Sequence, residues 1–334
     1  MTVPESERAR VVAEANRAPS VHNIQPTRWR FEAEGVHLRL DPARALPVGD
    51  RENHDAAFSL GCALEATRIA LGRRGFGTVV EHGQGASARL RLRRATAQER
   101  ERAEIDAGTL ARRGTHRLGF APASEKDGAT LRSWAREHPD IVMTTEGADL
   151  ARLAELNDRA SLRFMRDDAY RTELLGWMRL KRDDGRPDGL DASALGMSRL
   201  EAAAASTVLR RAPFRVLDRL GLAAALTSER EPTLRAAAIA AVTIPDAAPR
   251  PRADVEVGAA FLRLDLALTA LGFRTWPMGV LTDEAEARSE AARVLGAPDD
   301  RRLRLVFRVG RPKGITPTAR RMVAEALIDP TPAP

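Results

Sequence analysis

The feature that most constrains this chain is a pair of long, apolar helices that resemble each other. Residues 56–73 and 254–271 both show helical periodicity, and each stretch is closed by glycine. When Gly61 is aligned with Gly258, six of sixteen positions are identical, without a gap, at a constant offset of 197 residues. A basic alternating strand follows each helix, which predicts that one unit of helix and sheet occurs twice.

Alanine-rich and leucine-rich helices often match by chance, so the similarity alone leaves the duplication open. If the duplication is real, each half packs a central helix on a sheet, as in a dimer fused into one chain. The length of 334 residues exceeds the usual size of a single hydrophobic core, which also favours two units. We therefore predict an α+β fold with a first half at 1–97, a second half at 98–329 and a ligand groove between them.

Local patterns predict the other elements of the chain. Helices are predicted at 5–17, at 98–112 and within 146–180, with a terminal helix or arm at 318–328. Strands are predicted at 29–31, 36–40, 76–81, 88–93, 141–145, 237–244 and 303–309. The periodicity of residues 183–232 is weak, which predicts an excursion over the surface of the core. The proline-rich residues 330–334 predict a disordered tail.

The net charge of +7 and the pI of about 10.6 are compatible with a polyanionic partner. The 46 acidic residues are interleaved among the 53 basic ones, however, so we do not expect nucleic acid as a partner. Cys62 is the single cysteine, which excludes an intramolecular disulfide and favours a reducing, cytoplasmic compartment. No apolar run is long enough for a membrane span, and the N-terminal residues lack the apolar segment of a signal peptide.

The densest polar constellation is the loop at 18–26, which a proline stiffens near each end. Four hydrogen-bonding side chains fall within six residues: Ser20, His22, Asn23 and Gln25. Asn23 and Gln25 each offer donors and an acceptor, which suits the mixed edge of a heteroaromatic ring. An ordinary connection between a helix and a strand has the same composition, and spacing alone favours that simpler interpretation.

A second constellation is basic. Arg113 and Arg117 flank the hydroxyl of Thr115, so three donors can converge on one oxyanion, and guanidinium groups match phosphate geometry bidentately. A further arginine pair lies at Arg320 and Arg321. The alternative to a phosphate site is a basic surface exposed to solvent. The sequence of each cluster, taken alone, favours that alternative.

The third candidate follows the second long helix. Pro277 and Gly279 bracket Met278 in an irregular backbone whose free N–H groups can approach a flat ligand closely, although a tight turn would look the same. The six histidines show no paired metal spacing, and no phosphate-loop, dinucleotide or serine-hydrolase motif occurs. Cys62 lies in an apolar helix and is predicted to be core. We therefore predict no metal site and no catalytic side chain, but a cofactor that brings its own chemistry.

Taken together, these segments resemble the nitroreductase superfamily, and specifically its Acg-type FMN-binding proteins with two fused nitroreductase-like halves. No single motif is highly specific, but the motifs occur in the family's order and cover most of the chain. The resemblance is carried by residues 18–26, Arg51-Glu52, Gly61-Cys62-Ala63-Leu64, Arg113-Gly114-Thr115-His116-Arg117, Asp188-Gly189-Leu190, the Gly258 helix with Leu271-Gly272-Phe273, Arg308-Val309-Gly310 and Arg320-Arg321.

The resemblance implies a nitroreductase-like pseudo-dimer that binds FMN. It implies that Arg113, Thr115 and Arg117 hold the phosphate and ribityl end, together with Arg320 or Arg321. It implies that Ser20, Asn23 and Gln25 border the flavin from the other half. The backbone of Pro277, Met278 and Gly279 would lie near the N5 edge of the ring, and residues 185–232 would include a lid.

Two positions depart from the family pattern. Thr27 follows the Gln-Pro pair where the family usually has tryptophan, and Trp29 lies two residues further on. The tryptophan often found just before the Gly258 helix is also missing. Both changes affect the shape of the pocket and hence the choice of substrate, but neither touches the phosphate-binding arginines.

The function that the resemblance implies is an FMN-dependent oxidoreductase, in which reduced flavin transfers hydride to a small electrophile. Nitroaromatics, quinones and activated alkenes are the expected acceptors, with NAD(P)H as a candidate electron donor. Two alternatives stay open: a protein that sequesters FMN with little turnover, and a basic nucleic-acid-binding protein. The chain is expected to act as a monomer with pseudo-dimeric halves or as a homodimer, without a membrane partner.

Overall fold

The computed structural model of the chain describes residues 1–181 and 184–330, so Arg182, Asp183 and residues 331–334 lie outside the described residues. Its helices are α1 (Glu5–Ala15), α2 (His54–Gly72), α3 (Ala97–Arg112), α4 (Glu125–Arg136), α5 (Gly147–Arg166), α6 (Asp168–Trp177), α7 (Arg199–Val208), α8 (Arg211–Arg219), α9 (Ala223–Thr227), α10 (Arg230–Leu234), α11 (Arg252–Ala270), α12 (Val280–Asp283) and α13 (Ala285–Leu295). Its strands are β1 (Thr27–Glu32), β2 (Gly35–Leu40), β3 (Phe76–His82), β4 (Ser87–Arg94), β5 (Ile141–Thr144), β6 (Met178–Arg179), β7 (Leu190–Asp191), β8 (Ala238–Pro245), β9 (Arg274–Pro277) and β10 (Arg301–Gly310).

The first half packs α2 against an antiparallel sheet with the strand order β1-β2-β4-β3. Buried and more exposed side chains alternate along its strands, because one face of the sheet covers the helix and the other faces solvent. In β1, Trp29 and Phe31 are buried while Arg28 and Arg30 are half-exposed. This alternation is the pattern that predicts strands in the sequence.

The second half packs α11 against an antiparallel sheet with the order β5-β8-β10-β9. In both halves two strands precede the long helix and two follow it, and the last strand in the sequence lies beside the second. The two sheets therefore have the same topology. The predicted α+β class with two fused, equivalent halves is confirmed.

The second sheet is covered on both faces, which explains the unbroken apolar sequence of β8. Ala238, Ala240 and Val242 belong to the core that contains α11, whereas Ile239 and Ala241 belong to a second core. That second core is formed by side chains of α5, α12 and α13. The sheet of the second half is thus the middle layer of a three-layer arrangement.

The two long helices cross where two glycines meet. A Cβ atom on Gly61 would lie 2.0 Å from the carbonyl oxygen of Val255, and one on Gly258 would lie 2.0 Å from the carbonyl oxygen of Phe58. Because no side chain fits, the backbones approach closely, and Cys62 Sγ donates to the Gly258 carbonyl at 3.2 Å. The glycines that align in the sequence are the ones that form this crossing.

The predicted helices and strands of both halves are confirmed, with ends that differ by a few residues. The segment predicted at 318–328 is an extended arm with a short 3₁₀ helix at Ala324–Leu327. Outside the excursion predicted at 183–232, three helices were not predicted, namely α4, α12 and α13. The capping box of α4, in which Ser124 and Asp127 bond to each other's backbone, was a readable signal for its start.

The C-terminal arm returns to the first half. Asp329 lies within 3.0 Å of Arg28 and 2.8 Å of Arg39, and its backbone N–H donates to the Trp29 carbonyl. Ile328 forms a parallel bridge with Trp29 at the edge of the first sheet. The chain therefore ties its far end to its beginning, and of the predicted disordered tail only Pro330 lies among the described residues.

The segment between β5 and β8 has no counterpart in the first half. Helices α5 and α6 pack on the second half, and the short helices α7 to α10 follow them over the surface. Leu200 and Leu226 in these short helices are exposed, as expected for an excursion outside the core. The described part of the excursion predicted at 183–232 follows that course.

We expect Gly258→Ala to destabilise the fold by about 1–3 kcal/mol or more, because its methyl group would overlap the Phe58 carbonyl at the helix crossing. Chemical denaturation measures this change in the free energy of unfolding. Gly176→Ala in α6 is the matched control, since a Cβ atom there would meet nothing within 4 Å. The control should be neutral or stabilising by up to about 1 kcal/mol, and equal effects of the two substitutions would contradict the close crossing.

Candidate functional site

A cavity of about 240 Å³ lies between the two halves, and both halves contribute to its wall. Six of the residues predicted from the sequence line it: Ser20, Arg113, Thr115, Arg117, Pro277 and Gly279. The three separate constellations at 18–26, 113–117 and 275–280 thus meet around one space, as an inter-half groove requires.

Apolar side chains form one wall of this cavity. Phe58 of α2 and Phe261 of α11 lie with ring centroids 5.3 Å apart, and Leu305 of β10 and Val280 of α12 line the same space. The two long helices supply the aromatic pair because their crossing brings these faces together. Such a wall suits a flat, apolar ligand.

Arg113 is fixed by a buried ion pair. Its Nε atom lies 2.6 Å from Asp265 of α11, and both side chains are almost fully buried. The Nη2 atom of Arg113 donates to the Thr115 hydroxyl at 2.8 Å. Asp265 also accepts a bond from the Thr275 hydroxyl at 3.0 Å, and the His116 N–H donates to the Thr275 carbonyl. One carboxylate therefore holds two walls of the cavity in place.

Arg117 lines the cavity without a partner. It donates no hydrogen bond and forms no ion pair among the residues that the structure describes. Burial lowers the pKa of Arg117 to about 10; the charge of Glu229 opposes this shift, whereas Arg113 and Arg308 add to it. Glu229 is itself ion-paired with Arg308 at 2.7 Å. A guanidinium group with this much donor capacity left over is suited to bind an anion.

Arg321 does not line the cavity, but it lies close enough to Arg113 for the two charges to interact. Burial lowers its pKa to about 9, and the charges of Arg113 and Arg17 add to the effect. It donates to Asn23 Oδ1 and to the Arg17 carbonyl, but it pairs with no carboxylate among the described residues. Arg113, Arg117 and Arg321 are called the arginine cluster below.

Asn23 and Gln25 do not line the cavity. Asn23 Nδ2 donates to the carbonyls of Gly189 and Arg320, at 3.0 and 3.1 Å. Gln25 Oε1 accepts from Asn16 Nδ2 at 2.7 Å and from the Met322 N–H at 2.9 Å. These amides fasten the C-terminal arm and the Gly189 turn to the first half, and Asn23 thereby orients Arg321.

Met278 and Arg320 also lie away from the cavity. Met278 is buried in the second core, between the sheet and the outer helices. Arg320 donates to the carbonyls of Asp184 and Arg186. The sequence predicted two adjacent arginines without distinguishing them. Only Arg321 interacts with Arg113, because neighbours in an extended chain point to opposite sides.

His22 lines the cavity and has strained backbone geometry. Its φ angle is 44°, and Asn23 and Gln25 also have positive φ angles, of 55° and 53°. Strain of this kind in residues other than glycine is concentrated at functional sites. Burial lowers the pKa of His22 to about 4, so its ring is neutral near neutral pH.

Part of the wall is acidic, and no sequence pattern indicated its residues. Asp55 and Asp283 line it together with Tyr170. Asp55 is paired with Arg304 at 3.0 Å. Burial and the charge of Asp55 raise the pKa of Asp283 well above its usual range. No local motif marks these three residues, which are distant in sequence and meet only through packing.

Tyr170 of α6 reaches the cavity from the segment inserted between β5 and β8. Glu173 on the same helix accepts from the N–H groups of Val48 and Gly49 at 2.9 and 2.7 Å, which fastens α6 to the loop beside the cavity. Within the described part of 185–232 no residue lines the cavity, although Gly196 lies against Leu118. The role of 185–232 as a lid stays a prediction.

Cys62 is core, as predicted. It is fully buried in α2, and burial raises the pKa of its thiol. A thiol in this state does not act as a nucleophile.

Comparisons with known proteins confirm the resemblance found in the sequence. The chain is 32% identical over 174 residues to "Putative NAD(P)H nitroreductase acg" of Mycobacterium tuberculosis, which covers 49% of this chain and 51% of that protein. It is 29% identical over 178 residues to "Putative NAD(P)H nitroreductase Rv3131" of the same organism, with 52% of each chain covered. The chain therefore spans about half the length of the curated relatives it matches. No family model matches it.

Two solved structures align with this chain at low sequence identity. The FMN-dependent nitroreductase NfnB from Mycobacterium smegmatis, in complex with NADPH, aligns with a TM-score of 0.41 and 18% identity, covering 67% of this chain and 96% of that one. Iodotyrosine deiodinase bound to FMN and 3-iodo-L-tyrosine aligns with a TM-score of 0.37 and 16% identity, covering 65% of this chain and 95% of that one.

Within the described residues, no helix of this chain has the length and apolar character needed to cross a membrane.

We expect Asp265→Asn to cost about 3–5 kcal/mol of unfolding free energy, because it leaves the Arg113 charge buried without a partner. Glu290→Gln is the control, since its ion pairs with Arg152 and Arg159 are long and exposed. The control should change stability by less than about 1 kcal/mol. Urea denaturation of both variants checks the difference, and a D265N variant as stable as the control would contradict the structural role of the pair.

Proposed function

We propose that this chain is an FMN-dependent oxidoreductase and that FMN binds in the cavity between the halves. The observation that supports this most directly is the arginine cluster. Arg117 and Arg321 are half-buried and carry positive charges without a carboxylate partner among the described residues. A bound phosphate would compensate these charges and use their free donors.

The chemistry of the residues around the cavity fits the cofactor. Arg113, Arg117 and Arg321 would hold the phosphate, and the Thr115 hydroxyl would hold the ribityl end. Ser20 and the backbone of Pro277 and Gly279 would border the flavin ring, next to the wall formed by Phe58 and Phe261. Bound FMN supplies hydride transfer to and from substrate, so the chain itself needs to bind, orient and exclude water.

Asn23 and Gln25 would then act on the phosphate site indirectly, through the residues that they hold. They fix the C-terminal arm, and Asn23 accepts a bond from Arg321. We assign them to positioning the phosphate site rather than to contact with the ring. Met278 would pack beneath the Pro277–Gly279 backbone, and Arg320 would hold residues 184–186.

The names of the sequence relatives point to a nicotinamide as electron donor and to nitro compounds as acceptors. We extend both to this chain as proposals. Quinones and activated alkenes belong to the same class of small electrophiles, since each accepts hydride from a reduced flavin. Both halves of this chain contribute to the lining, so we propose that one FMN binds between them.

Sequestration of FMN with little turnover is the second candidate function. Glu173 holds α6 to residues 48–49, and Tyr170 of the same helix lines the cavity. A helix fixed in this place favours sequestration. Stopped-flow mixing of the FMN-loaded protein with NADPH or NADH separates the two functions. Bleaching of the flavin within seconds supports the enzyme, whereas reduction by dithionite alone supports sequestration.

We expect Arg117→Ala and Arg321→Ala each to weaken FMN binding about ten- to a hundredfold. Each removes a charge-assisted bond to phosphate, worth roughly 1.5–3 kcal/mol, and 1.4 kcal/mol corresponds to a factor of ten. Quenching of flavin fluorescence during titration of the apoprotein measures the Kd. Arg102→Ala is the control, because Arg102 is exposed and paired with Asp106. If both variants bind FMN as tightly as the control does, the phosphate site is elsewhere.

A further inference from the structure

Reduction of an oxygen-containing acceptor requires a proton as well as a hydride, and the cavity contains one group that can supply it. The titratable side chains that line it are His22, Asp55, Arg113, Arg117, Tyr170 and Asp283. His22 is neutral and Asp55 is held by Arg304 at 3.0 Å. Burial and nearby carboxylates raise the pKa of Tyr170, which makes it a weak proton donor. Among these described groups, Asp283 remains.

Asp283 is placed for this role by α12. Its carboxylate makes no hydrogen bond and no ion pair with any described residue, and the residue is exposed and lines the cavity. A Cβ atom built on Gly279 would lie 3.6 Å from Asp283 Oδ2. The carboxyl group therefore adjoins the backbone that would border the reactive edge of the flavin.

We propose that Asp283 is the proton donor to the acceptor, which would be a quinone or another compound that is protonated on oxygen as it is reduced. This inference rests on the proposed flavin site. In the step, a quinone gains a hydride, supplied by the bound reduced flavin, and a proton from Asp283. The O–H bond of the carboxyl group breaks, an O–H bond forms on the acceptor, and a hydroquinone results. Asp283 is left as a carboxylate and regains its proton from water.

The surroundings of Asp283 favour its protonated form, which is the form that the proposed step requires. Its pKa is raised mainly because protein atoms around the carboxyl group displace water, and next by the charge of Asp55. The charged and titratable groups that interact electrostatically with Asp283 are Asp50, Asp55, Tyr170, Arg288 and Arg304. A carboxyl group that is neutral in the folded protein and ionised in the unfolded chain makes the fold less stable as pH rises towards its folded pKa.

The first test uses the protein without flavin. Thermal unfolding of wild type, Asp283→Asn and Glu284→Gln is followed as a function of pH. Glu284 is the neighbouring residue, faces Arg163 on the surface and does not line the cavity. We expect the Tm of wild type to fall relative to D283N as pH rises above about 4, with E284Q parallel to wild type. Parallel profiles of wild type and D283N would overturn the proposal, because Asp283 would then titrate as an ordinary carboxylate.

The second test uses FMN-loaded protein that dithionite has already reduced, so that no nicotinamide is needed. Oxidation of the flavin by 1,4-benzoquinone should be about a hundredfold slower or more in D283N at pH 6, as for the loss of a general acid. The wild-type rate should fall as pH rises, the D283N rate should not, and E284Q should match wild type. Ferricyanide accepts electrons without a proton, so it should oxidise all three proteins at equal rates.

Each outcome of the second test decides one point. Equal quinone rates in wild type and D283N overturn the role of Asp283. Equal loss with quinone and ferricyanide also overturns it, because the substitution would then have damaged the flavin site itself. A wild-type protein that binds no FMN, or whose reduced flavin is not oxidised by quinone, instead overturns the proposed function.

Discussion

The structure depends on the close approach of α2 and α11 at Gly61 and Gly258. Because neither position has a side chain, the two backbones touch, and the halves pack through their central helices. This contact brings Phe58 of one half opposite Phe261 of the other. The crossing therefore defines both the pseudo-dimeric core and the apolar wall of the cavity.

The charged groups around the cavity are of two kinds, paired and unpaired. Asp265, on the same helix as Gly258, neutralises Arg113, but Arg117 and Arg321 have no carboxylate of their own among the described residues. Asp55 is neutralised by Arg304, while Asp283 is not paired with any described residue. Fixed ion pairs thus hold the frame, and the unpaired groups are the ones free to act on a ligand.

Much of the fold could be predicted from the sequence, because its signals are local. The alternation of Trp29 and Phe31 with arginines marks a half-buried strand, and the unbroken apolar run of β8 marks a strand covered on both faces. The position of the arginine cluster was also readable in part, since Arg113 and Arg117 are four residues apart. What local patterns could not distinguish is Arg320 from Arg321, or a side chain that lines the cavity from one that fastens a loop.

The sequence by itself indicated the two long helices, most strands of the two sheets and much of the core, because hydrophobic periodicity and glycine placement act over a few residues. Only the tertiary structure decided that Asn23 and Gln25 hold the C-terminal arm, and that Tyr170 and Asp283 reach the cavity. Asn23 and Gln25 are 297 positions from the arm residues that they hold, and Tyr170 and Asp283 belong to different helices. Their roles follow from the direction in which each element packs, and that direction is set by the whole core rather than by neighbouring residues.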